Sequence, residues 1–155
     1  MQVRTEQEAL YLACEMESTA VQLYERAMRV MEQMDRQNEP LYRQLALMHS
    51  DESEHLRQFR ALYSGLDASV ERQLTLSAVA EGVLFEGGLM GAARQGLLKD
   101  VESMLRFAIQ AEITSARKYR EFASLATDER ARTALVMIAD EEDKHTAELE
   151  AQAEA

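Results

Sequence analysis

Two stretches of the chain repeat one arrangement of chemically capable residues. Glu17 is followed seven residues on by Tyr24 and later by the pair Glu52-x-x-His55; Glu112 is followed seven residues on by Tyr119 and later by Glu142-x-x-His145. Residues three apart on a helix share a face, about 5–6 Å apart, so each glutamate–histidine pair can converge on one ion. Four carboxylates and two neutral imidazoles form an N/O donor set that accepts iron, manganese or zinc. Four negative charges are also what two divalent cations cancel. The spacing points to a dinuclear metal centre held by Glu17, Glu52, His55, Glu112, Glu142 and His145.

The surrounding pattern strengthens that expectation. Each of the four glutamates falls in the middle of a helical stripe that otherwise carries Leu, Met, Ala and Ile, and no Lys or Arg shares the stripe nearby. An ionised carboxylate placed there costs several kcal/mol, roughly, unless something pairs with it. Glu141 and Asp51 compete with Glu142 and Glu52 as neighbours of the histidines, but only Glu52 and Glu142 lie on the apolar stripes. Tyr24 and Tyr119, two turns from Glu17 and Glu112 on the same faces, have two readings. Their phenols hydrogen-bond the carboxylates across the core, or they are ordinary core tyrosines with satisfied hydroxyls. His49 lies off the stripe of His55 and reads as a surface histidine, and the nine methionines read as core packing.

Four helices must position these groups. Thr5-x-x-Glu8 is a capping box that opens the first, whose stripe runs Leu10, Ala13, Glu17, Val21, Tyr24, Met28, Met31. Asn38 and Pro40 end it, with Pro40 in the first turn of the next. The second carries Leu45, Met48, Glu52, His55, Phe59, Leu62 and stops near Gly65, a plausible position just past its end. The third carries Leu98, Val101, Leu105, Ala108, Glu112, Ala116, Tyr119, Ala123. After Thr127-Asp128 the fourth carries Ala131, Leu135, Ile138, Glu142, His145, Leu149. The expected helices are about 5–37, 40–64, 97–126 and 128–152 within a single domain, 1–155.

Between the second and third, at about 66–96, lie five of the six glycines, interleaved with Val83, Leu84, Phe85, Leu89 and Met90. About 30 residues suffice to cross the length of a 25-residue helix, roughly 38 Å. This segment reads as a crossover strapped along the bundle, partly helical around 75–85, making the second and third helices parallel. The halves also match letter by letter. A shift of 95 carries Ala13, Glu17, Thr19 and Tyr24 onto Ala108, Glu112, Thr114 and Tyr119; a shift of 90 carries Leu45, Glu52 and His55 onto Leu135, Glu142 and His145. A duplicated hairpin gives an all-α bundle with pseudo-two-fold symmetry.

Composition narrows the partners. The net charge is −11 with basic and acidic residues interspersed, a surface that repels nucleic acid and anionic membrane. No apolar run approaches the roughly 20 residues of a membrane span. Cys14 is the single cysteine, so neither a disulfide within the chain nor a Cys-x-x-Cys metal site is expected, and it reads as a small core residue. The first residues do not form a signal peptide, and a cytoplasmic location is expected.

Over about residues 5–150, with those six positions, the chain resembles the ferritin-like di-iron superfamily and rubrerythrin-type proteins most closely. The resemblance implies a ferritin-like four-helix bundle of two antiparallel hairpins joined by a long crossover. It implies two iron ions, with Glu17 and Glu112 as terminal carboxylates, Glu52 and Glu142 as bridging ones, and His55 and His145 as terminal imidazoles. It implies an oxidoreductase that reduces hydrogen peroxide or dioxygen with ferrous iron, the alternative being a protein that binds, stores or delivers iron without turnover. Rubrerythrins proper add a rubredoxin domain and a further glutamate on the third helix. This sequence has one cysteine, so electrons are expected from a separate donor such as a rubredoxin or from ferrous iron itself; Ile109 and Ser115 stand three residues either side of Glu112, where the further glutamate is lacking. The glycine-punctuated crossover suits a subunit interface, and a homodimer or higher homo-oligomer is expected.

Overall fold

The computed structural model describes residues 2–154; the sequence-drawn domain limits, 1 and 155, lie outside them. Four long helices carry the fold: α1 (Glu6–Gln33), α2 (Pro40–Leu62), α5 (Val101–Ala123) and α6 (Glu129–Glu154). Two short helices, α3 (Ala68–Ala80) and α4 (Gly88–Arg94), lie in the crossover, and no strand occurs among the described residues. The architecture is all-α, a helical bundle of the ferritin-like kind.

Local chemistry places the helix ends. Thr5 closes the capping box on Glu8, each residue satisfying an otherwise unpaired N–H of the other. Pro40 occupies the first helical position of α2, where a missing N–H costs nothing. Asp100 opens α5, its carboxylate accepting the Ser103 N–H at 2.7 Å. Asp128 does the same before α6, accepting from Arg130 N–H at 2.8 Å. Gly65 plays a different part from the one its spacing implied. Chain direction changes at Tyr63, which is already extended, and Gly65 follows in the loop with φ +104°.

Terminal contacts fix the directions. Gln7 near the start of α1 hydrogen-bonds Leu62 O and Ser64 N at the end of α2. Glu6 accepts the N–H groups of Thr127 and Asp128, just past α5, at 2.9 and 2.8 Å. Both α2 and α5 therefore end beside the start of α1 and run parallel to each other, antiparallel to α1. Gln44 of α2 reaches Glu148 of α6 at 2.6 Å, closing the fourth side.

The crossover packs along α1, burying Leu74 and Ala78 of α3, Leu84, and Leu89 and Ala92 of α4. Its first helix, α3, begins earlier than the expected 75–85 and stops before Gly82, whose φ of +77° turns the chain toward α4. Gly91 is required by proximity: a Cβ there would lie 1.8 Å from the Glu86 carbonyl oxygen.

Buried apolar residues form two clusters. One gathers Leu10, Ala13, Phe59, Phe122, Leu135 and Ile138; the other gathers Leu23, Met31, Leu45, Met48, Met104 and Leu149. Glu17 lies along α1 between the contributions to each. The stripes read from spacing are largely the buried faces, although Val21, Met28, Leu62 and Leu105 are only half-buried at their margins. A layer of charge thus sits between two oily plugs, and the plugs keep water from either end.

Candidate metal centre

All six residues singled out by spacing converge in that layer, each at most 3% exposed. Glu17, Glu52, His55 and Glu142 offer one donor atom each within 4.8 Å of one another; Glu52, Glu112, Glu142 and His145 do the same. Glu52 and Glu142 belong to both groups, whereas Glu17 and Glu112 each belong to one. Glu52 and Glu142 are supplied by α2 and α6, one helical turn before their histidines, so each pair shares a face.

The inner distances suit coordination better than hydrogen bonding. His55 Nδ1 lies 3.1 Å from Glu142 Oε1, 3.6 Å from Glu17 Oε1 and 3.7 Å from Glu52 Oε1. His145 Nδ1 lies 2.9 Å from Glu52 Oε1, 3.4 Å from Glu112 Oε1 and 3.8 Å from Glu142 Oε1. Yet Glu17 Oε2, both Glu52 oxygens, Glu112 Oε2, Glu142 Oε1 and both Nδ1 atoms are buried with no properly aligned hydrogen-bond partner. Two donors each about 2.1 Å from one ion, at right angles, are about 3 Å apart. Buried orphan lone pairs are otherwise costly, and here they face one another. The donor set fits a pair of divalent cations.

Around this set four further side chains hold Glu17, Glu112 and both histidines. Tyr24 donates its hydroxyl to Glu112 Oε1 at 2.5 Å, and Tyr119 donates to Glu17 Oε1 at 2.9 Å. The two phenols thus cross between α1 and α5, and the two sequence readings of them are both met: they are fully enclosed core rings and carboxylate partners. Burial, then the neighbouring carboxylates, holds both phenols well above their ordinary pKa, so they remain donors. Asp51 and Glu141 are not rivals of Glu52 and Glu142. Each reaches across to the histidine of the other hairpin: His145 Nε2–H donates to Asp51 at 3.0 Å, and His55 Nε2–H donates to Glu141. With Nε2 protonated by that bond, the Nδ1 lone pair of each ring points inward. This exchange had a sequence signal, since the shift of 90 that relates the histidines also relates Asp51 to Glu141.

Electrostatics describe a set that resists holding four bare charges. Burial, followed by repulsion from the other carboxylates, raises Glu52 and Glu142 well above the ordinary range. Burial alone would raise Glu112 too, but the adjacent Glu142 and His145, with the Tyr24 hydroxyl, bring it below that range. Burial likewise opposes protonation of His145, yet Glu112 and Glu52 outweigh it and push the imidazole up to about 11. Burial and mutual repulsion thus favour neutralising this layer, by protons or by cations.

Residues outside the set behave differently. His49 is half-buried and pairs with Glu25 at 3.0 Å on the flank of the bundle. Burial pushes the Cys14 thiol up to about 11, leaving it an unreactive core residue. No helix among the described residues is long and apolar enough to cross a membrane.

Helix order, crossing hairpins and a mid-bundle carboxylate–histidine layer define the class of ferritin-like helical bundles with a candidate metal site. Within it, the Rubrerythrin family profile matches residues 8–153, so the chain belongs to the rubrerythrin family. Neither the curated proteins nor the solved structures yield a match to the chain.

Proposed function

We propose that the protein is a di-iron oxidoreductase of rubrerythrin type that reduces hydrogen peroxide or dioxygen. The carrying observation is the buried set of Glu17, Glu52, His55, Glu112, Glu142 and His145 with its inward-facing, unpartnered donor atoms. When bound, two ferrous ions supply two electrons, enough to take H2O2 and two protons to two waters.

The chain's own residues supply the rest. Glu52 and Glu142 would be shared between the two ions, Glu17 and Glu112 would hold one each, and the Nδ1 atoms of His55 and His145 would complete each side. Tyr24, Tyr119, Asp51 and Glu141 fix the orientation of those groups before any ion arrives. The apolar plugs exclude bulk water, which confines the oxidant to the ions. Electrons return from a separate donor such as a rubredoxin. Self-association belongs to the same proposal: Leu76 and Met90, 65% and 60% exposed on the crossover, are apolar side chains that a second copy would cover.

Anaerobic titration with ferrous iron, followed by stopped-flow mixing with H2O2 or O2, tests this. Two ions per chain and repeated oxidation and re-reduction are expected. Iron that binds but is never oxidised on the ligand-dependent time course rejects the enzyme.

A further inference from the structure

The two faces of the bundle that flank the carboxylate layer are closed differently. On the α2–α6 face, Asp51 and Glu141 reach over the histidines. On the α1–α5 face the side chains nearest the layer are short, and something else covers them. We propose that the cavity of about 50 Å3 between α1 and α5, roofed by residues 82–85 of the crossover, is the port through which a small uncharged oxidant reaches the Glu112 side of the cluster, with Val83 and Phe85 setting its size limit. This rests on the oxidant-reducing function proposed above.

The cavity straddles the pseudo-two-fold. Its walls include three pairs related by the shift of 95: Thr19 with Thr114, Ala20 with Ser115, and Met16 with Ala111. Only Met16 among these is long, so α1 and α5 do not interdigitate there and a gap persists. Its floor is asymmetric. Glu112, Glu142 and Tyr24 line it, whereas the equivalent Glu17 and Tyr119 do not. The crossover breaks the symmetry, because Leu74 and Ala78 of α3 pack with Leu12 and Phe122 in the other half. Glu112 Oε2 and Glu142 Oε1, both on lining residues, are buried atoms without a hydrogen-bond partner.

Size and polarity select the traveller. On the order of 10–15 Å3 of such space holds one water, so a cavity of about 50 Å3 has room for O2 or H2O2. Most of the lining is apolar, Leu23, Val83, Leu84, Phe85 and Phe107 included, and the Thr19 hydroxyl already donates to the Glu15 carbonyl, so an ion is costly to bring through. The roof is firm. The Val83 and Leu84 N–H groups both donate to Ala78 O, at 2.8 and 3.2 Å, and the Phe85 ring packs on Phe107 with centroids 4.6 Å apart. Val83 and Phe85 are half-buried and belong to no donor group, so trimming them widens the port and leaves the cluster intact.

Two measurements on Ser115→Leu and Phe85→Ala decide the matter. In the metal-free protein, xenon titration followed by 129Xe NMR is expected to show saturable binding in wild type and Phe85→Ala and its loss in Ser115→Leu. In protein loaded with two ferrous ions per chain, Ser115→Leu is expected to slow oxidation by H2O2 at least tenfold. Phe85→Ala is expected to speed oxidation by cumene hydroperoxide at least tenfold, with the H2O2 rate within twofold. Should Ser115→Leu fail to fold, Ala20→Leu fills the same space from α1. Absence of xenon binding in wild type, or variants whose rates match wild type, overturns the port alone. Wild-type protein that no oxidant oxidises overturns the functional proposal and the port with it.

Discussion

The two hairpins and the crossover that joins them follow opposite rules. α1–α2 and α5–α6 deliver equivalent donors from equivalent positions, and even their supports are exchanged in pairs: Tyr24 to Glu112 against Tyr119 to Glu17, His55 to Glu141 against His145 to Asp51. The crossover has no counterpart. Its α3 seals one half of the α1–α5 face, while residues 82–85 leave a gap over the other. Duplication therefore accounts for two equivalent groups of donor atoms, and the single unduplicated segment makes their surroundings differ. A symmetric site acquires a front and a back only through an asymmetric cover.

The largest expected effect removes a residue both halves share. Glu142→Ala is expected to abolish binding of both ions, with affinity falling on the order of a thousandfold, roughly 4 kcal/mol. Glu17→Ala and Glu112→Ala are expected to lose one ion each, on the His55 and His145 sides respectively. Elemental analysis after anaerobic loading counts the ions. Equal loss in all three variants would break the assignment of Glu142 as shared.

Next comes the balance of protons against cations. Raised pKa values at Glu52 and Glu142, and at His145, mean that the metal-free folded protein holds protons more tightly than the unfolded chain. Its stability therefore falls as pH rises, for the carboxyls from about 4.3 upward and for His145 between about 6.5 and the folded value of about 11. Glu112, lowered instead, acts in the opposite sense only in the acid range. Thermal melts of metal-free protein are expected to drop by about 5 °C between pH 5.5 and 8.5. Metal-loaded protein is expected to lose this slope, because bound cations require the deprotonated ligands. A metal-free melt that rises over the same interval contradicts neutralisation by protons.

Smaller changes sharpen the comparison between halves. Tyr24→Phe and Asp51→Asn are expected to weaken the ion on the Glu112–His145 side by about tenfold each, and Tyr119→Phe and Glu141→Gln the one on the Glu17–His55 side by a similar factor. Calorimetric titration resolves the two sites in such variants, and loss on the opposite side would undo the crossed pairing. The smallest effect is expected far from the layer. Thr5→Ala removes one half of the α1 capping box and is expected to cost about 1 kcal/mol in urea unfolding with no change in metal affinity.

Period and burial cost made the helices and the six buried donors readable from letters alone. Glutamates at Glu17, Glu52, Glu112 and Glu142 interrupt stripes of Leu, Met and Ala, and a helix can present a stripe to only one side. The capping box at Thr5 and the proline at Pro40 announced their ends for equally local reasons. Three things required the folded chain. Asp51 and Glu141 could be matched as equivalents by the shift of 90 but not assigned to the opposite histidines, because sequence spacing says nothing of which imidazole lies across the bundle. Gly65 lost the end position its spacing implied, since Tyr63 left the helix first. The cavity beneath residues 82–85 has no linear signature, because it is the space left between α1, α5 and a segment whose course depends on packing. Periodicity determines what each helix turns inward; only the meeting of helices determines which inward groups touch and where a gap remains.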